Sequence, residues 1–265
     1  IIGIGGIGRF HANFIKGDPN AELAAIFDSN AKLLEEARKN YPEARICNSF
    51  EDFLKTPGLH AVVVATPNNV HAKYSIAAAN QGLHVLCEKP LAMNKMEAKK
   101  MVDAVEKNKV VGMTNFSYRW VPSFRYMRDL VRKGDFGKIN RVHVKYLQSW
   151  LRDPNGPIVW RNLKEFAGFG ALGDLGSHMI DAVCFITGAK PKRVVGVHGI
   201  HVKTKLNPAT GKRAKVTTDT NAQFMVDFGT FVAIFETSQV EPGHGNHLVV
   251  SMGGEKGSCR LYSED

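Results

Sequence analysis

Over the first 115 or so positions, short β-branched apolar runs alternate with longer amphipathic stretches: 24–27 then 31–40, 61–65 then 70–81, 84–87 then 95–107, and finally 110–113. Strand-length runs separated by helix-length ones predict βαβ units and a parallel sheet. Ala61-Val62-Val63-Val64-Ala65 is apolar without alternation, the pattern of a strand covered on both faces. Beyond 115 the pattern changes. A helix over 121–133 leads into a long strand, 140–148, of mixed polarity. A loop rich in Trp, Pro and Gly follows, then a helix over 174–187 closed by Gly188. Strands are expected at 194–200, 217–228, 231–239, 247–252 and 258–262, with turns at Phe228-Gly229-Thr230 and 253–257. The second half therefore reads as α+β with a large, mostly antiparallel open sheet. Within it, Phe231-Val232-Ala233-Ile234-Phe235 reads as a strand buried on both faces. The expected division is 1–116 and 117–265, with no repeat, low-complexity tract or flexible linker.

Composition sharpens this only in places. With 44% hydrophobic and 23% charged residues, disorder and collagen are excluded, and 265 residues suffice for two cores. No uninterrupted apolar run approaches the ~18 residues of a bilayer span, so no membrane partner is expected. Cys47, Cys87, Cys184 and Cys259 form no C-x-x-C pair, which argues against a zinc site or disulfide framework and for the reduced thiols of a cytoplasmic protein. The net charge of +10 suggests a polyanionic partner until it is located. Residues 1–116 carry 14 basic and 12 acidic side chains, whereas 190–215 carry eight basic residues and no acidic one. That stretch has no aromatic residue to stack on bases, so a solvated hairpin or loop is expected and nucleic acid is not. The chain opens on Ile1, directly before a glycine-rich turn, so a few residues of the first strand are expected to precede it.

The turn is Gly3-Ile4-Gly5-Gly6-Ile7-Gly8, a G-x-G-x-x-G after an apolar start and before a helix over 9–15, with Asp28 twenty residues beyond Gly8 at the end of a strand. That context is the dinucleotide fingerprint of a Rossmann, doubly wound α/β domain. Gly3 permits the tight turn, Gly5 admits the pyrophosphate to the backbone, and Gly8 lets helix and strand pack closely, with the helix N-terminus facing the phosphates. Gly6 and Ile7 complete the cradle. Asp28 would accept from a ribose 2′-hydroxyl and repel a 2′-phosphate, which favours NAD over NADP. The alternative is a plain tight turn with Asp28 capping a helix that begins at Ala31.

Ala65-Thr66-Pro67-Asn68-Asn69-Val70-His71, Cys87-Glu88-Lys89-Pro90-Leu91-Ala92, Asn115-Phe116-Ser117-Tyr118-Arg119 and Gly173-Asp174-Leu175-Gly176-Ser177-His178-Met179-Ile180-Asp181 occur in that order. Together they resemble the glucose-fructose oxidoreductase and inositol dehydrogenase (Gfo/Idh/MocA) family over nearly the whole chain. From Tyr146-Leu147-Gln148 through Trp150, Asp153-Pro154-Asn155 and Trp160-Arg161 the chain is similar to the family's sugar and cyclitol dehydrogenases. The resemblance implies an NAD-dependent dehydrogenase of CH–OH groups with Lys89, Asp174 and His178 as the catalytic group. It places Asn68 and His71 near the nicotinamide ribose, with Thr66, Glu88, Lys89 and Arg119 also at the cofactor. It also implies pairing of subunits, as a homodimer or homotetramer, through the second sheet, and further strands and a helix beyond Asp265.

The residue chemistry agrees. Removing hydride from a CH–OH carbon requires the hydroxyl proton to leave as well, and His178 is the natural base. Asp174 lies one helical turn before it, and a Lys89 ammonium would stabilise a developing alkoxide. Tyr118, Gln148, Trp150, Trp160 and Arg161 are candidates for the substrate, since aromatic faces cover the apolar side of a sugar ring while Gln and Arg donate to its hydroxyls. Each has a plainer alternative: Asp174 as an N-cap, Asp181 as a surface charge, His178 as a core histidine, Lys89 as a surface lysine, and Trp150 and Trp160 as core. Competing functions are an NAD-using glycoside hydrolase, a non-catalytic dinucleotide-sensing regulator, and a metal hydrolase built on Asp174, His178 and Asp181; no metal is expected.

Overall fold

Residues 1–263 are described in the computed structural model, and contacts divide the chain after Asn115. In the first unit helices and strands alternate: α1 (Gly6–Gly17), β1 (Ala25–Phe27), α2 (Ala31–Asn40), β2 (Arg45–Cys47), α3 (Phe50–Leu54), β3 (Ala61–Val64), α4 (His71–Asn80), β4 (His84–Cys87), α5 (Lys95–Lys107) and β5 (Gly112–Thr114). All the strand pairs are parallel. The stub at Ile2 bridges Phe27 on one side and Val64 on the other. Counting that stub as the first strand gives the order β2, β1, stub, β3, β4, β5, the 3-2-1-4-5-6 arrangement of dinucleotide-binding sheets. The reversal of order falls between the stub and β3, where such sheets bind ligands.

The apolar run at 61–65 behaves as its pattern requires. Val62 and Val64 join Ile2, Val85 and Cys87 in one buried cluster, while Val63 packs on the opposite face against a cluster containing Ile1, Ile4 and Ile26. Helix α1 begins at Gly6 rather than Arg9, because the last glycines of the loop already form its first turn. Asn30, not Asp28, caps α2, accepting from Lys32 N.

The second unit contains α6 (Pro122–Lys133), β6 (Ile139–Leu147), α7 (Lys164–Ala167), a π-helical turn (Leu172–Gly176) continuing into α8 (Ser177–Thr187), β7 (Arg193–Gly199), the hairpin β8 (Thr204–Leu206) and β9 (Arg213–Lys215), β10 (Asn221–Asp227), β11 (Val232–Ser238), β12 (His247–Gly254) and β13 (Ser258–Ser263). The large sheet runs β13-β12-β6-β11-β10-β7, antiparallel except for the β6–β11 pair. Alternation sends Ala233, Phe235, Phe224 and Val226 inward onto α6 and α8, in a core with Phe124, Met127, Met179 and Val183.

Three expectations change. Val232 and Ile234 are 48% and 45% exposed within this chain, because the run at 231–235 alternates about the pleat and only one face meets the helices. Strand β10 starts at Asn221, not at 217; residues 217–220 instead bond the loop that carries the site. The basic stretch is only partly a hairpin, since Arg193 to Gly199 form the sheet's edge strand. The helical stretch Lys164–Thr187 is long and apolar enough to cross a membrane by length and composition, although 56% of its apolar window is buried inside the unit, as a core helix requires.

Candidate functional site

The glycine loop is built from three separate demands. Gly3 has φ +90°, and a Cβ there would stand 2.7 Å from the Ala65 carbonyl oxygen. A Cβ on Gly8 would stand 1.9 Å from the Gly3 carbonyl oxygen, so the close approach of helix and stub needs glycine. Gly5 and Gly6 have open space where a Cβ would go, and the free N-terminus of α1 points its amides at that space. Asp28 Oδ2 accepts from Ile4 N at 2.8 Å and its Oδ1 from Asn30 N at 2.8 Å. The carboxylate therefore stands over the loop, held by backbone. A backbone cradle at a helix N-terminus with a carboxylate at its rim fits a dinucleotide.

Next to the loop along the sheet, Glu88 follows β4. It is 9% exposed, and its Oε1 accepts from His11 Nε2 at 2.8 Å and Asn115 Nδ2 at 2.7 Å, while Oε2 accepts from Lys89 N at 3.2 Å. Burial pushes its carboxyl pKa up, but the hydrogen bonds from His11 and Asn115 and the nearby imidazole outweigh that and hold it below its ordinary value. Lys89 is half-buried at the end of β4, joined to Pro90 by a cis peptide. His71, expected beside the nicotinamide ribose, is 0% exposed and leaves no surface for a ligand. Its Nδ1 meets the Pro90 carbonyl and its Nε2 the Thr66 carbonyl, each at 3.0 Å, so it braces the loops that follow β3 and β4. Burial keeps its pKa low against the opposing pull of those carbonyls. Asn68 is also buried, and Thr66 Oγ1 donates to Pro67 O at 3.2 Å.

In the second unit the polar candidates converge. Asp174 lies in the π-helical turn, not at an N-cap. Its Oδ2 accepts from Gln239 Nε2 at 2.8 Å and stands 3.9 Å from Arg161 Nε. The Arg161 guanidinium lies over the Trp160 ring at 4.3 Å and the Trp150 ring at 5.8 Å. Trp150 Nε1 donates to Gln148 Oε1 at 2.8 Å, and Gln148 Nε2 donates to Asn246 Oδ1 at 2.7 Å. Tyr146 donates to the same Asn246 oxygen at 2.7 Å, its hydroxyl lies 2.7 Å from that of Tyr118, and Asn246 Nδ2 donates back to Tyr118 at 3.4 Å. His178 is 7% exposed among the rings of Tyr118, Phe116 and Tyr146. Burial, Tyr118 and Asp174 together raise the Tyr146 pKa, so its hydroxyl stays a donor.

Arg119 makes a bidentate pair with Asp181, at 2.9 and 2.5 Å, which raises its own pKa. Asp181 is thus an ion-pair partner and not a lone surface charge, and among the described residues no three His, Cys, Asp or Glu side chains are grouped to hold a metal. The structure adds His11, Gln239, Asn246 and Asp219, none of which the sequence singled out. Of these only His11 had a visible signal, as a polar residue on the inner turn of the helix that follows the glycine loop.

The doubly wound sheet, its glycine cradle and the Asp28 rim define a dinucleotide-binding oxidoreductase fold. Residues 1–116 match the oxidoreductase family with an NAD-binding Rossmann fold, and residues 124–260 match the GFO/IDH/MocA C-terminal domain. The chain belongs to the Gfo/Idh/MocA family of oxidoreductases. It is 32% identical over 245 residues to levoglucosan dehydrogenase of Pseudarthrobacter phenanthrenivorans, an alignment covering 88% of this chain and 63% of that protein. It is 34% identical over 190 residues to glucose-6-phosphate 3-dehydrogenase of Bacillus subtilis, covering 70% of this chain and 52% of the relative. The chain thus spans less than two thirds of either relative. Among solved structures, levoglucosan dehydrogenase in complex with NADH and levoglucosan superposes with a TM-score of 0.92 at 31% identity, over 98% of this chain and 72% of that one.

Proposed function

We propose that this protein transfers a hydride between a CH–OH group of a sugar, sugar derivative or cyclitol and NAD, NADP being disfavoured by Asp28. The observation that carries this is the joined set in the second unit: Asp174, held by Gln239 and facing Arg161, beside a guanidinium stacked on two indoles. Carboxylate, amide and guanidinium donors and acceptors flanked by aromatic faces suit a ring bearing several hydroxyls. Levoglucosan and glucose 6-phosphate, for which these two relatives are named, belong to that class.

In this reading NAD supplies the hydride acceptor when bound. Gly3, Gly5, Gly6, Ile7 and Gly8 cradle its phosphates, and Thr66, Asn68 and Arg119 line its further length. His178 takes the hydroxyl proton, Asp174 orients the reacting hydroxyl or its neighbour, and Lys89 holds an ammonium against the oxygen as negative charge develops. Tyr118, Gln148, Trp150, Trp160 and Arg161 orient the ring. Residues 1–116 serve as the cofactor module, and 117–265 as the substrate and assembly module. The test is a polyol and sugar panel with NAD and NADP side by side, using wild type and Lys89→Ala. NADH accumulation in wild type, lost in Lys89→Ala, is expected. Turnover in the variant equal to wild type overturns the lysine's role, and sugar release without NADH favours the NAD-using hydrolase instead.

The same reading includes a homodimer or homotetramer and a cytoplasmic location. The outer face of the large sheet supports the first: Val195, Met225 and Ile234 form one row across three strands, with Val197 and Val232 nearby, all between 45% and 70% exposed. An apolar patch of this kind is what an isologous partner covers. A monomeric mass by light scattering rejects it. Four free thiols support the second.

A further inference from the structure

Lys205, in the middle of the basic stretch, is 2% exposed. Its ammonium donates to the Asp153 carbonyl at 2.5 Å and the Leu151 carbonyl at 3.3 Å. Across the hairpin, Arg213 donates to the Pro154 carbonyl at 2.8 Å and to Asn155 Oδ1 at 3.1 Å. Ile158 N donates to Leu206 O at 2.7 Å and Leu206 N to Gly156 O at 3.2 Å, so Pro157 forms an isolated parallel bridge with Leu206 of β8 and ties the loop to the hairpin. A Cβ on Gly156 would stand 3.4 Å from the Asp153 carbonyl oxygen and 3.5 Å from Lys205 Nζ, ordinary contact distances that place this part of the loop directly against the ammonium. Burying an ammonium costs several kcal/mol unless it is well bonded, and the two carbonyls it bonds both belong to one loop. The two ends of that loop carry Trp150 and the Trp160–Arg161 pair.

We propose that the β8–β9 hairpin is a specificity clamp, with Lys205 as a positioning residue that fixes the 151–158 loop and thereby the spacing of Trp150 from Arg161. The inference rests on the reading that these three side chains receive the substrate. It gives a role to the local charge excess: two of its cations hold the loop from behind without touching the ring that binds.

The experiment compares Lys205→Met, which keeps the buried stem, with wild type in the full chain. A Trp120→Phe background leaves emission from Trp150 and Trp160 only, since the chain has three tryptophans. Acrylamide quenching of that emission should rise, and KM for the best polyol should rise about tenfold with kcat within about twofold and KM for NAD unchanged, the signature of lost ring binding. Quenching and polyol KM equal to wild type in a folded Lys205→Met protein overturn the clamp, and so does a rise in quenching with no change in polyol KM. If Lys205→Met does not fold, Arg213→Gln is read in its place, with the same directions expected and the same null results overturning. Absence of any NAD-linked polyol oxidation by wild type rejects the substrate reading itself; the quenching comparison remains a separate test of whether Lys205 holds the loop.

Discussion

Glu88 and His11 meet at 2.8 Å and tie the helix that follows the glycine loop to the turn that carries Lys89. A carboxylate this buried persists as an anion only because three donors face it, one of them the His11 imidazole. His11→Ala should therefore cost about 1.5–3 kcal/mol of stability, the range for a hydrogen bond to a charged group, and His11→Gln, which keeps a donor, should recover part of it. Urea unfolding at neutral pH measures both. Equal midpoints for wild type and His11→Ala would show that Asn115 and Lys89 N suffice.

The glycine loop separates packing from ligand access. Gly8→Ala puts a methyl group 1.9 Å from the Gly3 carbonyl oxygen, so it should lower the melting temperature of the unliganded protein. Gly5→Ala meets nothing within 4 Å and should leave that temperature unchanged while weakening NAD, because the methyl group enters the space above the helix N-terminus. Differential scanning fluorimetry and NADH fluorescence titration read the two effects. Loss of stability in Gly5→Ala without loss of NAD affinity contradicts the assignment.

Much of this was legible in the chain. The two-faced burial of Val62, Val63 and Val64 follows from an apolar run without alternation, and the glycine spacing with Asp28 foretells the cradle because Gly3 and Gly8 answer local steric demands while Gly5 and Gly6 leave the helix N-terminus open. The second-unit candidates also converge, since Gln148, Trp150, Trp160 and Arg161 share one connecting loop. What was illegible depends on distant pairing. Gln239, Asn246 and Asp219 are single polar residues at strand ends, and nothing local distinguishes a buried partner from a solvated one. The π-helical turn under Asp174 has no pattern of its own, and Lys205 was hidden inside a run of like charges. Alternation about the pleat is also why Val232 and Ile234 point outward from a run that reads as wholly buried.

His71 makes the first unit acid-sensitive. Burial holds its pKa below the ordinary 6.5, so the unfolded chain binds the proton more readily. Stability contributed by the neutral ring is complete above about 6.5 and declines as the pH falls towards the folded value, by at most ~1.4 kcal/mol per pH unit for one group. Glu88, also held low, acts in a separate window below its ordinary 4.5. His71→Asn should flatten the fall in melting temperature between about pH 7 and 5 while lowering the plateau. An unaltered slope in that variant would assign the acid sensitivity elsewhere.

Asp28 sets the cofactor preference if its free surface meets the ribose. Asp28→Asn can keep its oxygen on the part-buried Ile4 N and leave Asn30 N, which is exposed, to water, while removing the charge that repels a 2′-phosphate. The ratio of kcat/KM for NAD to that for NADP should fall by about tenfold, roughly 1.4 kcal/mol, with little change in melting temperature. An unchanged ratio places discrimination elsewhere in the loop.

Asp219 tests whether the bracket at 217–220 positions the chemistry. It is 5% exposed; Oδ1 accepts from Gly170 N at 2.8 Å and Oδ2 from Leu172 N at 2.7 Å, and its own carbonyl accepts from Ala171 N at 3.0 Å. The next amide of interest, Asp174 N, bonds Gly170 O at 2.8 Å, so the turn that carries Asp174 hangs from this one carboxylate. Alongside it, Thr218 Oγ1 donates to the Arg161 carbonyl at 2.9 Å, so adjacent residues hold both partners of the Arg161–Asp174 pair. Asp219→Asn places an amide N–H against one of the two backbone donors, leaving that donor unsatisfied at a cost of about 1–3 kcal/mol. The expected result is lower stability in urea together with lower kcat, whereas Thr218→Val, which removes only the Arg161 anchor, should raise the polyol KM more than it lowers kcat. Wild-type kcat in a measurably destabilised Asp219→Asn protein would show that Gln239 alone suffices to aim Asp174.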